Sequence, residues 1–231
     1  MRLLALDTAT EACSAAVLCD RAMVSRELTA GREAAERILG LIEAVLSESG
    51  VTLRELDAIA FGRGPGGFTG VRLAASVAQG LAFSAERPVV PVSDLRALAQ
   101  QALDADASAD AVLVCQDARM QEVYWTYCRR DAQGLAQSVE SERVSSPGEV
   151  QLPAPTEAAT ILGVGSGFRA YPQLAERLAP RLARIEPMRL PRAQEIAALA
   201  AVELRAGRTL PPERALPVYL RDEVASPPSR D

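Results

Sequence analysis

Short apolar runs and longer amphipathic segments alternate along this chain, and one arrangement of them occurs twice. Apolar runs at residues 3–6 and 111–115 lead to Asp7 and Asp117, and in both places a polar turn precedes a second apolar run. Runs and turns of this length predict antiparallel β-strands. Because helical segments follow each copy, we interpret the pattern as a duplicated βββαβα unit, the alternative being two unrelated hairpins.

Two helical segments of the first copy differ in polarity. Residues 33–49 carry apolar side chains at helical spacing, and Gly50 provides a stop signal. Residues 71–84 are apolar or small almost all round, which is typical of a helix buried on more than one side. The ordinary explanation is burial between a sheet and a helix of the same chain. The functional explanation is that a second subunit covers one stripe of each helix.

The remaining segments complete a chain of two lobes. The pattern predicts a strand at residues 160–164 and helices at residues 95–103, 173–182 and 194–204. A stretch rich in alanine and aspartate, residues 103–110, is the natural hinge. The sequence therefore predicts an α/β fold with lobes at residues 1–104 and 105–225, the last part of which can pack back on the first lobe. A flexible tail is predicted at residues 226–231.

The most distinctive segment is a glycine-rich loop at residues 61–72, between a strand-like run and the apolar helical segment. Glycine allows positive φ angles and close approach of another backbone. Thr69 is the expected N-cap of the following helix. Since anions bind at helix N-termini, this loop is a candidate anion site.

Three interpretations of the glycine-rich loop are open from the residues alone. The spacing of Gly62, Gly64 and Gly67 fits a dinucleotide fingerprint, although Pro65 removes one N–H and Asp94 lies further along than that motif expects. The loop also suits a phosphate loop in the duplicated nucleotide-binding architecture of actin, Hsp70 and sugar kinases. In the third interpretation, the loop merely turns the chain and starts a buried helix.

In the second interpretation, residues from both copies converge on a cleft between the lobes. This candidate nucleotide or anion cleft comprises Asp7, Thr8, Gly64, Gly66, Gly67, Thr69, Asp117, Gly165 and Gly167. The plain alternative for the two aspartates is that each caps its own turn through side-chain to backbone hydrogen bonds.

The composition excludes several kinds of active site. The chain has no histidine, lysine or asparagine. It therefore lacks a P-loop lysine, a Ser-His-Asp triad and a His-Glu-x-x-His zinc helix. A GC-rich genome explains the missing lysine and asparagine, but a catalytic site would retain its histidine. We expect no catalytic residue, metal or cofactor. Buried reduced thiols are expected at the cysteines, which are Cys13, Cys19, Cys115 and Cys128.

Charge and hydropathy are typical of a cytoplasmic protein. The chain is 48% hydrophobic and 4% aromatic, with a net charge of −5. An acidic chain with no evident cluster of aromatic and basic residues is not expected to bind tRNA tightly by itself. Asp7 interrupts the first apolar run, which argues against a signal peptide. The longest apolar stretch, residues 73–85, is too short to span a membrane.

Segments spread over nearly the whole chain resemble one bacterial family. They lie at residues 3–10, 61–81, 117–124 and 217–221, and the most specific is Gly-Arg-Gly-Pro-Gly-Gly-Phe-Thr-Gly-Val-Arg in the second. Through them the chain is similar to the TsaB (YeaZ) family, which takes part in threonylcarbamoyladenosine biosynthesis on tRNA. The resemblance implies the actin/Hsp70-like (ASKHA) fold.

The resemblance also implies a role as an accessory subunit. Such a subunit supports the histidine-containing, metal-binding paralogue TsaD, together with the ATPase TsaE, on tRNAs that read codons starting with A. It forms a homodimer when alone. It contacts tRNA only through the complex, and it is not expected to bind a membrane. The expected partner surface lies on the two N-terminal helices. It comprises Ile38, Leu41, Ile42, Val45, Leu73, Val77, Ala78 and Leu81.

Two segments depart from the family pattern. Residues 32–36 lack a histidine that members often carry, and residues 165–167 replace a common Gly-Asn-Gly with Gly-Ser-Gly. Both changes weaken the case for tight nucleotide binding. The rival class is an ATP-dependent kinase or hydrolase of the same fold that uses Asp7 or Asp117 with magnesium.

Overall fold

The computed structural model describes residues 1–154 and 159–221 and contains two β-sheets. The tail predicted at residues 226–231 lies outside the described residues. Both sheets are built on an apolar strand followed by a tight turn and an antiparallel partner, as the alternating pattern predicted.

The first sheet is formed by the N-terminal part of the chain. Its strands are β1 (Arg2–Asp7), β2 (Ala12–Cys19), β3 (Ala22–Thr29), β4 (Ala58–Gly62) and β5 (Val89–Val92). They lie in the order β3-β2-β1-β4-β5, with β1, β4 and β5 parallel to one another. Because parallel neighbours end at the same edge, Asp7 and Gly62 come together there with the segment that follows β5.

The second sheet repeats this order. Its strands are β6 (Ala111–Arg119), β7 (Glu122–Arg130), β8 (Ala136–Ser138), β9 (Arg143–Ser145), β10 (Ile161–Val164) and β11 (Arg184–Glu186). They run β11-β10-β6-β7-β8, with β9 paired to β7. Equivalent strands occupy equivalent places in the two sheets, so the repeated pattern is a duplication of topology. The α/β actin-like fold predicted for this chain is confirmed.

In residues 1–154 and 159–221, six α-helices cover the faces of the sheets. They are α1 (Ala34–Ser49), α2 (Phe68–Ala85), α3 (Asp94–Ala105), α4 (Gly167–Ala170), α5 (Pro172–Leu178) and α6 (Ala193–Arg205). Helices α1 and α2 share a core with one face of the first sheet. Helix α6 packs on the other face, and α3 packs on the second sheet. The last helix therefore returns to the first sheet.

The second copy is less complete than its pattern suggested. Between β9 and β10, the described residues hold only a short 3-10 helix, Pro147–Glu149, so they contain no counterpart of α1. The helix predicted at residues 173–182 is the shorter α5, followed by a 3-10 turn at Ala179–Arg181. Pro180 within that stretch cannot donate a backbone hydrogen bond, which favours ending the α-helix before it.

Three of the four cysteines are buried, as predicted from their strand-like surroundings, and Cys19 is half-buried instead. All four are free thiols in strands, and Cys13, Cys115 and Cys128 are buried. Burial raises the pKa of Cys13 and Cys128 to about 11, so both thiols are protonated near neutral pH. Across the described ranges, no helix combines the length and apolar character needed to cross a bilayer.

Candidate functional site

The glycine-rich loop packs directly against the turn that follows β1. A Cβ on Gly66 would lie 2.5 Å from the carbonyl oxygen of Ala9. A Cβ on Gly70 would overlap the carbonyl oxygen of Thr8, whose own hydroxyl donates a 2.7 Å hydrogen bond to the Gly70 carbonyl. These glycines are required because the two backbones meet with no room for a side chain.

Some N–H groups of this loop have internal acceptors. The Gly67 N–H donates to the Ala9 carbonyl at 2.7 Å, and the Gly64 N–H donates to Asp94 Oδ2. Helix α2 begins at Phe68 with Gly67 as its N-cap, so the expectation that Thr69 caps the helix is wrong. Gly67 is the last extended residue, and Phe68, one residue before Thr69, is the first helical one. This geometry favours the structural interpretation of the loop.

Two buried carboxyl groups face each other beneath the loop. Asp7 ends β1, Asp94 follows β5, and both are fully buried. A Cβ on Gly62 would lie within 2.5 Å of an oxygen of each carboxyl group. Asp7 Oδ1 accepts the Ala9 N–H at 2.9 Å, while Asp7 Oδ2 and Asp94 Oδ1 have no hydrogen-bond partner among the described residues.

Burial decides how this carboxyl pair titrates. Loss of solvation raises the pKa of Asp7 to about 6. Burial, with repulsion from Asp7, raises the pKa of Asp94 well above its ordinary value. Both carboxyl groups therefore keep their protons to a higher pH than a free carboxyl group would. The sequence placed Asp94 at a helix start but did not reveal that its carboxyl group lies beside that of Asp7. The small residue between them, Gly62, indicates this contact only when β1, β4 and β5 are known to be neighbours.

The second copy repeats the close contact between glycine and strand. Cβ atoms on Gly165 and Gly167 would lie 2.5 and 2.9 Å from the carbonyl oxygen of Cys115. Asp117 accepts a 2.9 Å hydrogen bond from the Arg119 N–H and a 3.1 Å bond from the Tyr171 hydroxyl. Asp117 thus caps its own turn, which was the plain alternative for this residue.

A C-terminal strap, residues 216–221, links the glycine-rich loop to the hairpin between β6 and β7. The Val218 N–H donates to the Arg63 carbonyl at 2.7 Å, next to the glycine-rich loop. Arg221 donates to the Ala118 carbonyl at 3.2 Å and forms an ion pair with Glu122 on the second lobe. Among the described residues, no hydrogen bond or ion pair joins the candidate cleft residues of the first copy directly to those of the second. The strap contacts residues next to both groups, Arg63 and Ala118.

The strap also builds an aromatic and basic cluster that the sequence did not reveal. The guanidinium carbon of Arg72 lies 3.2 Å from the centre of the Phe68 ring and 5.1 Å from that of Tyr219. The two ring centres are 6.5 Å apart. The expectation that the chain has no such cluster is therefore wrong, because Tyr219 comes from a segment far away in the sequence.

A polar groove of about 510 Å³ lies between the lobes on the side of β5 and β8. Its arginines are neutralised by glutamates. Arg63 pairs with Glu142 at 3.2 Å, and Arg96 pairs with Glu203 at 3.0 Å. In residues 1–154 and 159–221, no group of three or more histidine, cysteine or carboxylate side chains is arranged to hold a metal ion.

Half of the expected partner surface is turned inward. Ile38, Ile42, Val45 and Ala78 are at most 3% exposed and belong to the core beneath α1 and α2. Their assignment to a surface is wrong, because the apolar stripe of an amphipathic helix covers its own sheet first. The remaining members are half-buried at the edge of that core, and they are Leu41, Leu73, Val77 and Leu81.

Exposed apolar or small residues nevertheless remain on both helices, alongside charged ones such as Glu43. Leu39 is 57% exposed and Phe83 is 73% exposed. Gly40 and Gly80 have open space where a Cβ would stand. We call this surface, formed by Leu39, Gly40, Val77, Gly80 and Phe83, the outer helical face.

The family model described as TsaD, tRNA N6-adenosine threonylcarbamoyltransferase, matches residues 28–228 of the chain. An Escherichia coli K12 protein named tRNA threonylcarbamoyladenosine biosynthesis protein TsaB is 40% identical over 225 residues. That match covers 97% of this chain and 96% of the E. coli protein.

Two solved structures from Pseudomonas aeruginosa are similar over 95% of this chain and 99% of theirs. One is described as an uncharacterized protein with similarity to peptidase YEAZ and has a TM-score of 0.88 at 44% identity. The other is named YeaZ and has a TM-score of 0.84 at 41% identity.

Proposed function

The chain belongs to the TsaD protein family and, within it, to the TsaB (YeaZ) group, and we propose that it is an accessory subunit in threonylcarbamoyl transfer to tRNA adenosine. Its partner is a catalytic TsaD-like paralogue, and a TsaE-like ATPase joins through the complex. In the absence of the paralogue the chain pairs with itself. It acts in the cytoplasm, with residues 1–104 and 105–225 as its lobes.

The outer helical face is the observation that carries this proposal. An exposed Phe83 and two glycines with open space above them suit close approach of a helix from another subunit. Small residues allow helix backbones to approach, and a large aromatic side chain supplies buried area. Since the TsaD-like paralogue shares the family's sheet and helices, an equivalent face on it would be complementary.

Several features support an accessory role over a catalytic one. The chain has no histidine or lysine to serve as a base. The Gly64 and Gly67 N–H groups are bonded to Asp94 and Ala9, so they are not aimed at a phosphate. Burial holds Asp7 away from solvent. Purified chain should therefore show no ATP or peptide turnover above the blank, and measurable turnover would instead support the kinase, hydrolase or peptidase class.

The association is tested by placing a charge on the outer helical face. Gly80→Arg is expected to stay folded, because Gly80 has room for a side chain in the middle of α2. It should lose most co-purification with the TsaD-like paralogue, since desolvating an unpaired guanidinium costs several kcal/mol. In a strain whose only copy is this variant, the modified nucleoside measured by mass spectrometry should fall to the level of the deletion strain.

Gly148→Arg is the matched control for that substitution. Gly148 is also exposed, and its nearest neighbour to a new Cβ is 4.0 Å away, but it lies on the second lobe. It should leave association and modification unchanged. Full association of Gly80→Arg would place the partner surface elsewhere. If the deletion strain itself kept its normal level of the modified nucleoside, the accessory function would be contradicted.

The two turn aspartates give a second test. Asp7→Asn and Asp117→Asn should both retain tRNA modification wherever the protein folds and assembles, because each carboxyl group accepts hydrogen bonds from its own turn. An amide oxygen can accept the same bonds. The measurement is the modified nucleoside content alongside circular dichroism and co-purification. Folded, assembled variants without modification would revive a catalytic role for Asp7 or Asp117.

A further inference from the structure

The cluster of Phe68, Arg72 and Tyr219 combines two exposed aromatic rings with a stacked guanidinium group. Both rings are largely open to solvent, with Phe68 60% and Tyr219 45% exposed. The guanidinium of Arg72 is stacked on one ring and close to the other. Only nine aromatic residues exist in the chain, so the pairing of two exposed ones is unlike the rest of its surface.

The charge on Arg72 has no counter-ion within the described ranges. No carboxylate there lies within ion-pair distance of its guanidinium, in contrast with Arg63, Arg96 and Arg221, which are paired. Stacking on a ring fixes the plane of the guanidinium and leaves its N–H edge available. An available N–H edge beside open ring faces suits a ligand that carries both an anion and a flat π-system.

We infer that this cluster is a contact surface for an unstacked nucleotide of tRNA, with a base against Tyr219 or Phe68 and a phosphate on Arg72. The inference rests on the proposed function, which brings the chain to tRNA within a complex. Single-stranded loops of RNA are recognised by stacking their bases on aromatic and arginine side chains. The alternative occupant is a protein partner.

The surroundings favour RNA over protein. An aromatic residue that anchors a protein partner is normally surrounded by contacts that exclude water. The apolar residues that could provide such contacts, Gly80 and Phe83 of the outer helical face, lie further along α2 than Phe68 and Arg72. Next to Phe68 in the cluster, Thr69 is polar and exposed. Because the whole chain carries a net charge of −5, the contact is weak in isolation and contributes once the complex supplies further positive surface.

The test uses the assembled complex and an anticodon stem-loop RNA from a tRNA that reads a codon starting with A. Tyr219→Ala and Phe68→Ala should each weaken RNA binding about tenfold by fluorescence anisotropy. Arg72→Gln should lower the slope of log affinity against log salt by about one. Arg143→Gln is the matched control, an arginine that lies over the Trp125 ring but is paired with Glu140, and it should leave RNA affinity and its salt slope unchanged.

Photocrosslinking of the same RNA to the isolated chain separates this inference from the proposed function, because it needs no partner. Crosslinks mapped by mass spectrometry are expected at Phe68 and Tyr219. Crosslinks confined to other residues, or unchanged RNA affinity in all three variants, would overturn the inference. So would loss of complex assembly in Tyr219→Ala with RNA contact intact, which would assign the cluster to a protein partner. Failure of the wild-type complex to assemble would count against the proposed function alone.

Discussion

Gly70→Ala is expected to destabilise the first lobe by more than about 3 kcal/mol, a large share of the stability of an ordinary domain. The new Cβ would overlap the Thr8 carbonyl oxygen, and the Ala9 backbone is also in contact. Neither backbone can move freely, because Gly67 is bonded to Ala9 and β1 lies in the centre of its sheet. Thermal unfolding followed by circular dichroism should show a midpoint lowered by roughly 10 °C.

Gly80→Ala in the same helix is the control for Gly70→Ala. Both substitutions gain the helix propensity of alanine, about 1 kcal/mol, but Gly80 has open space. Measured at a concentration where the chain is monomeric, Gly80→Ala should be slightly more stable than wild type. If Gly70→Ala unfolds at the same temperature as Gly80→Ala, the close contact between the loop and the turn after β1 is not rigid.

Asp94→Asn is expected to stabilise the isolated chain at pH 8 by roughly 2 kcal/mol. In this variant the amide oxygen can still accept the Gly64 N–H, while the NH2 group takes the place of the unpartnered Asp94 Oδ1 facing Asp7. A repulsive carboxyl pair becomes a hydrogen-bonded one. Urea denaturation at pH 5 and pH 8 measures the difference.

The sign of the pH dependence follows from the direction of the pKa shifts. Asp7 and Asp94 have raised pKa values when folded, so the native state binds more protons than the unfolded state above pH 4. Wild-type stability should therefore fall as the pH rises from about 5 through the folded pKa of Asp7 near 6. Carboxyl groups with lowered pKa values, such as Glu186 and Glu203, titrate below this window.

Asp94→Ala separates the loss of repulsion from the loss of a hydrogen bond. It removes the acceptor of the buried Gly64 N–H as well as the charge. An unsatisfied buried donor costs about 1–3 kcal/mol, so this variant should be less stable than Asp94→Asn at every pH. A wild-type stability that is flat between pH 5 and 8, matching that of Asp94→Asn, would show that the pair does not share a proton.

The sequence predicts those parts of the structure that depend on local periodicity. A few neighbouring residues are enough to predict the strands that begin near residues 3 and 111. The same holds for the end of α1 at Gly50 and for the glycine-rich turn. The repeated order of strands followed from the same runs occurring twice. Duplication was therefore visible without any knowledge of which strands pair.

Features that depend on distant residues were not predictable in the same way. Asp7 meets Asp94 only because β1, β4 and β5 are parallel neighbours. Tyr219 reaches Arg72 only because the strap returns across both lobes. Three of the four residues wrongly assigned to the partner surface lie in α1, because an amphipathic helix turns its apolar stripe to its own sheet. The fourth is Ala78 in α2, and alanine is compatible both with burial against a sheet and with an exposed contact face.

The return of α6 to the first sheet affects how the protein is made on the ribosome. One face of β1, β2 and β4 is covered by residues 193–201, so Leu3, Ala5 and Ala60 find their packing partners only after most of the chain has been synthesised. The N-terminal lobe therefore emerges with an apolar sheet face uncovered. Nascent chains stalled before residue 193 should be more sensitive to protease and bind chaperones longer than chains stalled after the strap has emerged.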